Sequence, residues 1–197
     1  MSTYRGLSGE TRRTERRSRL VAAGLDLWGE AGWQGVTVRG VCARAGLTDR
    51  YFYENFADRD TLLLAVFDQV RDEIITLMFE VPWTGDPRAI MRATFTEVLA
   101  VLAADPRKAR VGFTESAGSP ALERRRHEAV GLVAEALAGK VSTASAPPPP
   151  GTVTVALFCA GGVGELISAW LADRLDLSAA QLVDHCTTLC AAAFNLP

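Results

Sequence analysis

The decapeptide LTDRYFYENF (Leu47–Phe56) holds one arginine, two tyrosines, one asparagine and two carboxylates among a few large apolar residues. A guanidinium can bridge two acceptors on a guanine edge, and phenolic hydroxyls and amides can donate to phosphate oxygens. Arg50, Tyr51, Tyr53 and Asn55 could therefore grip nucleic acid, provided that one short rigid element presents them together. Asp49 and Glu54 oppose that chemistry, because phosphate repels a carboxylate unless it meets a cytosine amino group or an arginine. The competing reading is a plug of core aromatics with a few solvated charges.

The elements that would position these groups can be read around them. From Thr11 to Gly32, Leu20, Val21, Leu25, Trp28 and Ala31 recur at helical spacing, and Gly32 closes the segment. Thr37 then stands as an N-cap before VRGVCARA, which ends at Gly46, a residue free to take positive φ. Thr48 offers a second N-cap two residues later. Two short capped helices joined at a glycine have the spacing of a helix-turn-helix, with Val41, Leu47 and Phe52 locked against Leu25 and Trp28. In such a unit the second helix enters the major groove, and groups at helix ends hold phosphates. Thr37, Arg39, Thr48, Asp49, Arg50, Tyr51, Tyr53, Asn55 and Arg59 are the candidate DNA-contacting residues. The arginines at 12, 13, 16, 17 and 19 either add attraction from the flank or form a solvated face.

Further on, Asp58 caps a long helix ending before Pro82, and Asp86–Pro87 starts another, since proline fits the first helical turn. DPRKARVGFTES reads as a short helix and PALERRRHEAVGLVAEALAG as a longer one. KVSTASAPPPPG reads as a stiff polar loop, and two largely apolar helices, 152–172 and 178–194, complete the chain. No strand pattern survives. The expectation is all-α, about nine helices: a three-helix head over 1–56 and a six-helix body over 57–197.

The chain has 197 residues, 48% hydrophobic and 22% charged, with a net charge of −2. That charge is uneven: nine arginines oppose six acids before residue 57 (+3), and twelve bases oppose seventeen acids after it (−5). Four cysteines in apolar helical patterns do not form a secreted disulfide framework, which points to a reducing, cytoplasmic setting. The first residues lack the apolar core of a signal peptide, and Glu165 and Asp173 interrupt the best candidate for a membrane span, so no membrane partner is expected.

Enzymatic readings find little support. The two histidines, His127 and His185, belong to no nucleophilic triad, and no carboxylate pair stands out. GGVGE lacks the Gly-Lys-Ser/Thr ending and the preceding strand of a phosphate loop. Cys186 and Cys190 lie one turn apart, but His185 points about 100° away from Cys186 and no fourth ligand is evident, so neither metal nor cofactor is expected.

TVRGVCARAGLTDRYFYENFADRDTLLLAV (Thr37–Val66) resembles the DNA-binding domain of the tetracycline-repressor (TetR) family of bacterial regulators, at Ala45, Gly46, Leu47, Thr48, Tyr53, Phe56, Asp60 and Leu62. Layout and length extend the resemblance more weakly across the chain. Departures are Asp49 where a basic residue is common, Gly40 within the first helix of the motif, Asn55 for histidine, Ala57 for proline and Arg59 for lysine. The resemblance implies a homodimer whose heads grip a palindromic operator and whose body binds a small molecule that releases the DNA.

Three interior glycines, Gly161, Gly162 and Gly164, cost a helix about 1 kcal/mol each relative to alanine. Close approach of a second helix would offset that, so a dimer interface is expected through Leu157, Gly161, Gly164, Ile167, Ser168, Leu182, Cys186 and Leu189. On either side of Trp83 and on to Phe158, Met78, Met91, Phe95, Phe113, Glu115 and Phe158 are the candidate effector-pocket residues, with Glu115 placed to orient a basic or hydroxyl group on a mostly apolar ligand. The fourth helix, beginning beside the head and running into the body, would transmit the change. The alternative is a ligand-independent regulator, or a helical interaction protein without a pocket.

Overall fold

The computed structural model describes residues 9–82, 85–114, 119–144 and 151–195. Among them the elements are α1 (Gly9–Gly35), α2 (Val38–Ala45), α3 (Asp49–Tyr53), α4 (Arg59–Glu80), α5 (Pro87–Ala104), α6 (Pro106–Ala109), a π-helical turn (Arg110–Thr114), α7 (Pro120–Ala144), α8 (Thr152–Leu171) and α9 (Ala179–Ala193). No strand occurs among the described residues, so the fold is all-α, as the hydrophobic spacing requires.

Local chemistry sets most boundaries. Gly32 interrupts α1 with φ 75° and ψ 166°, so the long first helix ends there as its spacing predicts, and a short helical turn through Gly35 follows the kink. The Thr37 hydroxyl accepts from the Gly40 N–H at 3.1 Å, and Gly46 ends α2 at φ 62°, where a side chain would be strained. Asp58 caps α4 by accepting from both the N–H and the hydroxyl of Thr61, each at 2.7 Å. Asp86–Pro87 and Asp105–Pro106 start α5 and α6 in the same way, each aspartate accepting an N–H two residues on. Ser178 and Gln181 form a reciprocal capping box at α9.

Three expectations change. The Thr48 side chain makes no cap bond, although its backbone is extended at the N-cap position of α3. The region 105–114 is not one short helix but a single turn of α6 followed by a π-helical turn. The polar stretch 140–151 is helical through Ala144, and residues 145–150 lie outside the described ones.

The core is continuous across the head. Leu20, Leu25, Trp28, Val41 and Phe52 pack with Leu62, Leu63, Val66 and Phe67 of α4, and the same cluster takes in Val111 and Leu122. A division after Phe56 therefore cuts through packed side chains. In the body, α5 packs against α9, α7 against α8, and α8 against α9. Helix α8 is long and apolar enough to cross a membrane by length and composition alone; this corrects the reading that Glu165 and Asp173 interrupt it, since one carboxylate is tolerated and Asp173 lies beyond the helix. Its outward side chains Val153, Leu157 and Phe158 are exposed, which marks one unpartnered face rather than a helix sunk in the core.

Candidate functional site

Helix α3 is only five residues long, so one buried side chain must anchor it. Phe52 does so, fully buried and tilted against Phe56 at 5.7 Å between ring centroids. The opposite side then faces outward by helical geometry. The Arg50 side chain is 84% exposed, its Nε held by Glu54 Oε1 at 3.0 Å. Tyr53 is 60% exposed, its ring edge-on to Phe52 at 5.4 Å. Tyr51 is exposed as well, and the Arg16 guanidinium lies over its ring at 4.7 Å. Thr37, Arg39, Thr48 and Asp49 are exposed on the same two helices.

The remaining candidates differ from expectation. Asn55 does not offer its amide outward: Nδ2 donates to the Tyr51 carbonyl at 2.8 Å, closing the end of α3, and its Oδ1 is buried without a partner. Arg59 folds onto Asp60, donating from Nε at 3.1 Å and from Nη2 at 2.9 Å, and lies over the Trp33 ring. Asp49 stands beside the Cys42 thiol, and burial together with that carboxylate pushes the thiol up to about 11. The aspartate thus ties α3 back to α2. Glu54 meets Arg50 and, at 3.8 Å, Arg16, which neutralises the carboxylate most opposed to a phosphate nearby.

The arginines of α1 do something the sequence did not distinguish. Arg13 donates to the Glu54 carbonyl at 2.9 Å, Arg17 to the Asn55 carbonyl at 3.4 Å, and Arg19 to the Ala45 carbonyl. They bind the C-terminal ends of α3 and α2, where carbonyls lack helical partners and the dipole favours a cation. These three fix the helix-turn-helix in place rather than forming a free solvated face.

A cavity of about 170 Å3 lies in the body. Met78, Met91, Phe95 and Phe113 line it, together with Gly112 of the π-helical turn and Gly161 and Gly164 of α8. Phe158 does not: Cys159 turns inward, so Phe158, about 100° further round the helix, faces out at 71% exposure. Glu115 and Trp83 lie outside the described residues. The charged side chains in the described lining are Arg71 and Arg126, opposite in sign to the carboxylate expected there. Cys159 and Cys190 meet across α8 and α9 at the cavity wall, and the contact with Cys159 and burial both push the Cys190 thiol upward. Among the described residues no three potential metal ligands cluster.

The expected interface residues separate into two groups. Leu157 and Leu189 are outward, at 50% and 57% exposure. Ile167, Leu182 and Cys186 are buried within the chain, and the Ser168 hydroxyl donates to the Phe113 carbonyl at 2.9 Å, so these four face inward and cannot meet a partner directly. Gly161 and Gly164 are cavity wall, and a Cβ added at either would meet nothing within 4 Å. Their missing side chains leave space for the cavity; they do not seat a neighbouring helix of this chain.

One junction has no counterpart in the sequence reading. Arg107 of α6 pairs with Asp26 of α1, and Arg110 of the π-helical turn donates to the Gly29 carbonyl at 3.0 Å. A Cβ at Gly29 would fall 2.3 Å from Arg107 Cγ, so the helices approach as closely as they do because residue 29 is glycine. The turn therefore touches the head through Arg110 and the cavity through Gly112 and Phe113. Only the contact geometry links these residues; their spacing carries no periodic signal.

Residues 20–66 match the sequence profile of "Bacterial regulatory proteins, tetR family". No curated protein sequence matches the chain. Among solved structures, a putative TetR-family transcriptional regulator from Syntrophomonas wolfei superposes with a TM-score of 0.74 at 15% identity, covering 91% of this chain and 95% of that one. The transcriptional regulator FadR from Bacillus subtilis, solved with stearoyl-CoA, gives 0.73 at 16% identity over 89% and 98%. The multidrug binding protein EbrR, solved with imidazole, gives 0.67 at 18% identity over 92% and 95%. Residues 20–66 thus carry the profile of tetR-family regulatory proteins, and the all-α fold around them is similar to that of solved TetR-family transcriptional regulators.

Proposed function

We propose that the protein is a homodimeric repressor that grips a palindromic operator through α3 and leaves it when a small molecule occupies the cavity. The observation that carries the reading is the outward set on α3: Arg50, Tyr51 and Tyr53 exposed over a buried Phe52, with α1 arginines holding both helices from behind. Arg50, whose two terminal nitrogens carry no bond among the described residues, reads a base edge. Thr37, Arg39, Thr48 and Tyr53 position the head on phosphates. Asp49 and Asn55 keep α3 in place through Cys42 and the Tyr51 carbonyl, and Arg59 stays with Asp60.

Dimer formation through α8 and α9 is supported by Val153, Leu157, Phe158 and Leu189, large apolar side chains left exposed on adjacent helices. Two copies of that face make a four-helix interface related by a two-fold axis, which matches the symmetry of a palindrome. Release is supported by the cavity and by two mechanical routes from it. Helix α4 starts in the head core and lines the cavity with Phe67, Ile74 and Met78, and the π-helical turn reaches α1 through Arg110. The ligand-bound relatives support an effector in the body.

Light scattering tests the assembly. The wild-type chain is expected as a dimer at micromolar concentration, and Phe158→Glu as a folded monomer with operator binding lost. A monomeric wild type, or a Phe158→Glu dimer, sinks the proposed interface.

A further inference from the structure

We infer that the cavity takes a small apolar acid, with its carboxylate at Arg126 and its hydrocarbon body toward Met91 and Cys159. The inference rests on reading the body as an effector domain and names the chemical class of that effector. Polarity gives the first argument. The described lining is almost wholly aliphatic, aromatic or thiol, and its charged members are Arg71 on α4 and Arg126 on α7, with no carboxylate among them. A cationic ligand would set its charge against two guanidinium groups, whereas an acid would supply the close counter-charge that Arg126 lacks.

The two arginines are not equivalent. Arg71 is already balanced, donating to Asp68 at 2.6 Å and to Asp72 at 2.8 and 2.9 Å. Among the described residues Arg126 reaches only Glu165, at 4.0 Å, and Glu165 stands closer to Arg174, at 3.3 Å. Neighbouring Arg125 is satisfied by Asp68 and Glu128. Arg126 is thus the weakly paired cation of the wall, with a planar fork suited to a bidentate carboxylate.

Position and size agree. Phe67 and Ala129, beside the two arginines on α4 and α7, pack with the head core, whereas Met91, Cys159 and Cys190 cluster together elsewhere. The cavity is therefore charged at its head-facing end and apolar at the other. Its volume of about 170 Å3 slightly exceeds the ~150 Å3 that accommodates benzene in a dry protein interior. One ring, or a hydrocarbon chain of similar bulk, fills it without rearrangement.

Phenylacetate, 2-phenylethanol and phenethylamine share one carbon skeleton and differ in head group, so calorimetric titration of the full chain with each isolates the polar end. The acid is expected to bind about tenfold tighter than the alcohol, the equivalent of one charge-assisted contact, and the amine weakest. Arg126→Ala is expected to remove the acid's advantage while leaving the alcohol within about twofold, and Arg126→Lys to retain part of it. Alcohol or amine binding as tightly as the acid, or an equal loss of all three in Arg126→Ala, overturns the inference while leaving an effector cavity. Binding of none of the three overturns the inference and the effector reading together.

Discussion

Gly29→Ala tests whether α1 and α6 touch as closely as described. In an ordinary exposed helix, replacing glycine with alanine stabilises by about 0.4–1 kcal/mol, because the unfolded chain loses freedom that the folded one never had. Gly131 on α7 is such a position, since an added Cβ would meet nothing within 4 Å. At Gly29 the added carbon would sit 2.3 Å from Arg107 Cγ and 2.8 Å from Arg107 Cβ. Carbon atoms rest about 3.5–4.0 Å apart, so a rotamer change of Arg107 can relieve the first contact but not the second, and α6 must back away by about 1 Å. Overpacking of this kind costs about 1–3 kcal/mol, which outweighs the intrinsic gain and leaves a net loss of up to about 2 kcal/mol. Urea unfolding should show Gly131→Ala stabilised and Gly29→Ala destabilised. Hydrogen exchange should rise over 106–114 in Gly29→Ala, because the Asp26–Arg107 pair and the bond from Arg110 to the Gly29 carbonyl stretch together. If Gly29→Ala gains the same stability as Gly131→Ala, with exchange over 106–114 unchanged, the reasoning about the junction is refuted.

Three other outcomes follow from the same geometry. Arg50→Ala should relax base preference at one operator position by about 1–3 kcal/mol, whereas Tyr53→Phe should weaken all duplexes alike; binding to a panel of single-base operator variants separates the two. Gly161→Leu should fill the cavity and reduce binding of the small-molecule probes while leaving the dimer intact by light scattering, the opposite of what a glycine seated in an interface would give. Asp58→Ala should cost about 1 kcal/mol of stability as a lost N-cap. Hydrogen bonds from the Thr61 N–H and hydroxyl hold the Asp58 carboxyl below its ordinary value of 3.8, so this contribution is complete above about pH 4 and disappears as pH falls through the lowered folded value. Thermal melts of wild type and Asp58→Ala should therefore differ at neutral pH and converge in strong acid.

The head was legible because its signals are local. Thr37, Gly46 and Asp58 act on backbone groups within four residues, and the apolar spacing of Leu20, Leu25 and Trp28 names the buried face of α1 directly. Exposure of Arg50 and Tyr53 followed from burying Phe52 on so short a helix. The destinations of long polar side chains were not legible, since an arginine on a helix surface has the same spacing whether it is solvated or, like Arg13 and Arg19, bound to a carbonyl 41 or 26 residues away. The body was legible as helices but not as faces. An all-apolar helix such as α8 gives no moment to say that Cys159 and Ile167 turn in while Leu157 and Phe158 turn out. The same ambiguity assigned Gly161 to an interface when it borders a cavity, and hid Arg126, whose neighbours Arg124 and Arg125 look alike in sequence.

The central claim, sequence-specific duplex binding by a pair of heads through α3, is tested most directly by selection of random duplexes with the full-length chain. The account predicts an enriched motif with two-fold symmetry, half-sites about one helical turn or more apart, two or more chains per bound duplex, and loss of enrichment at one position in each half-site for Arg50→Ala. Selection that enriches no motif, with retention falling uniformly as salt rises, would contradict it.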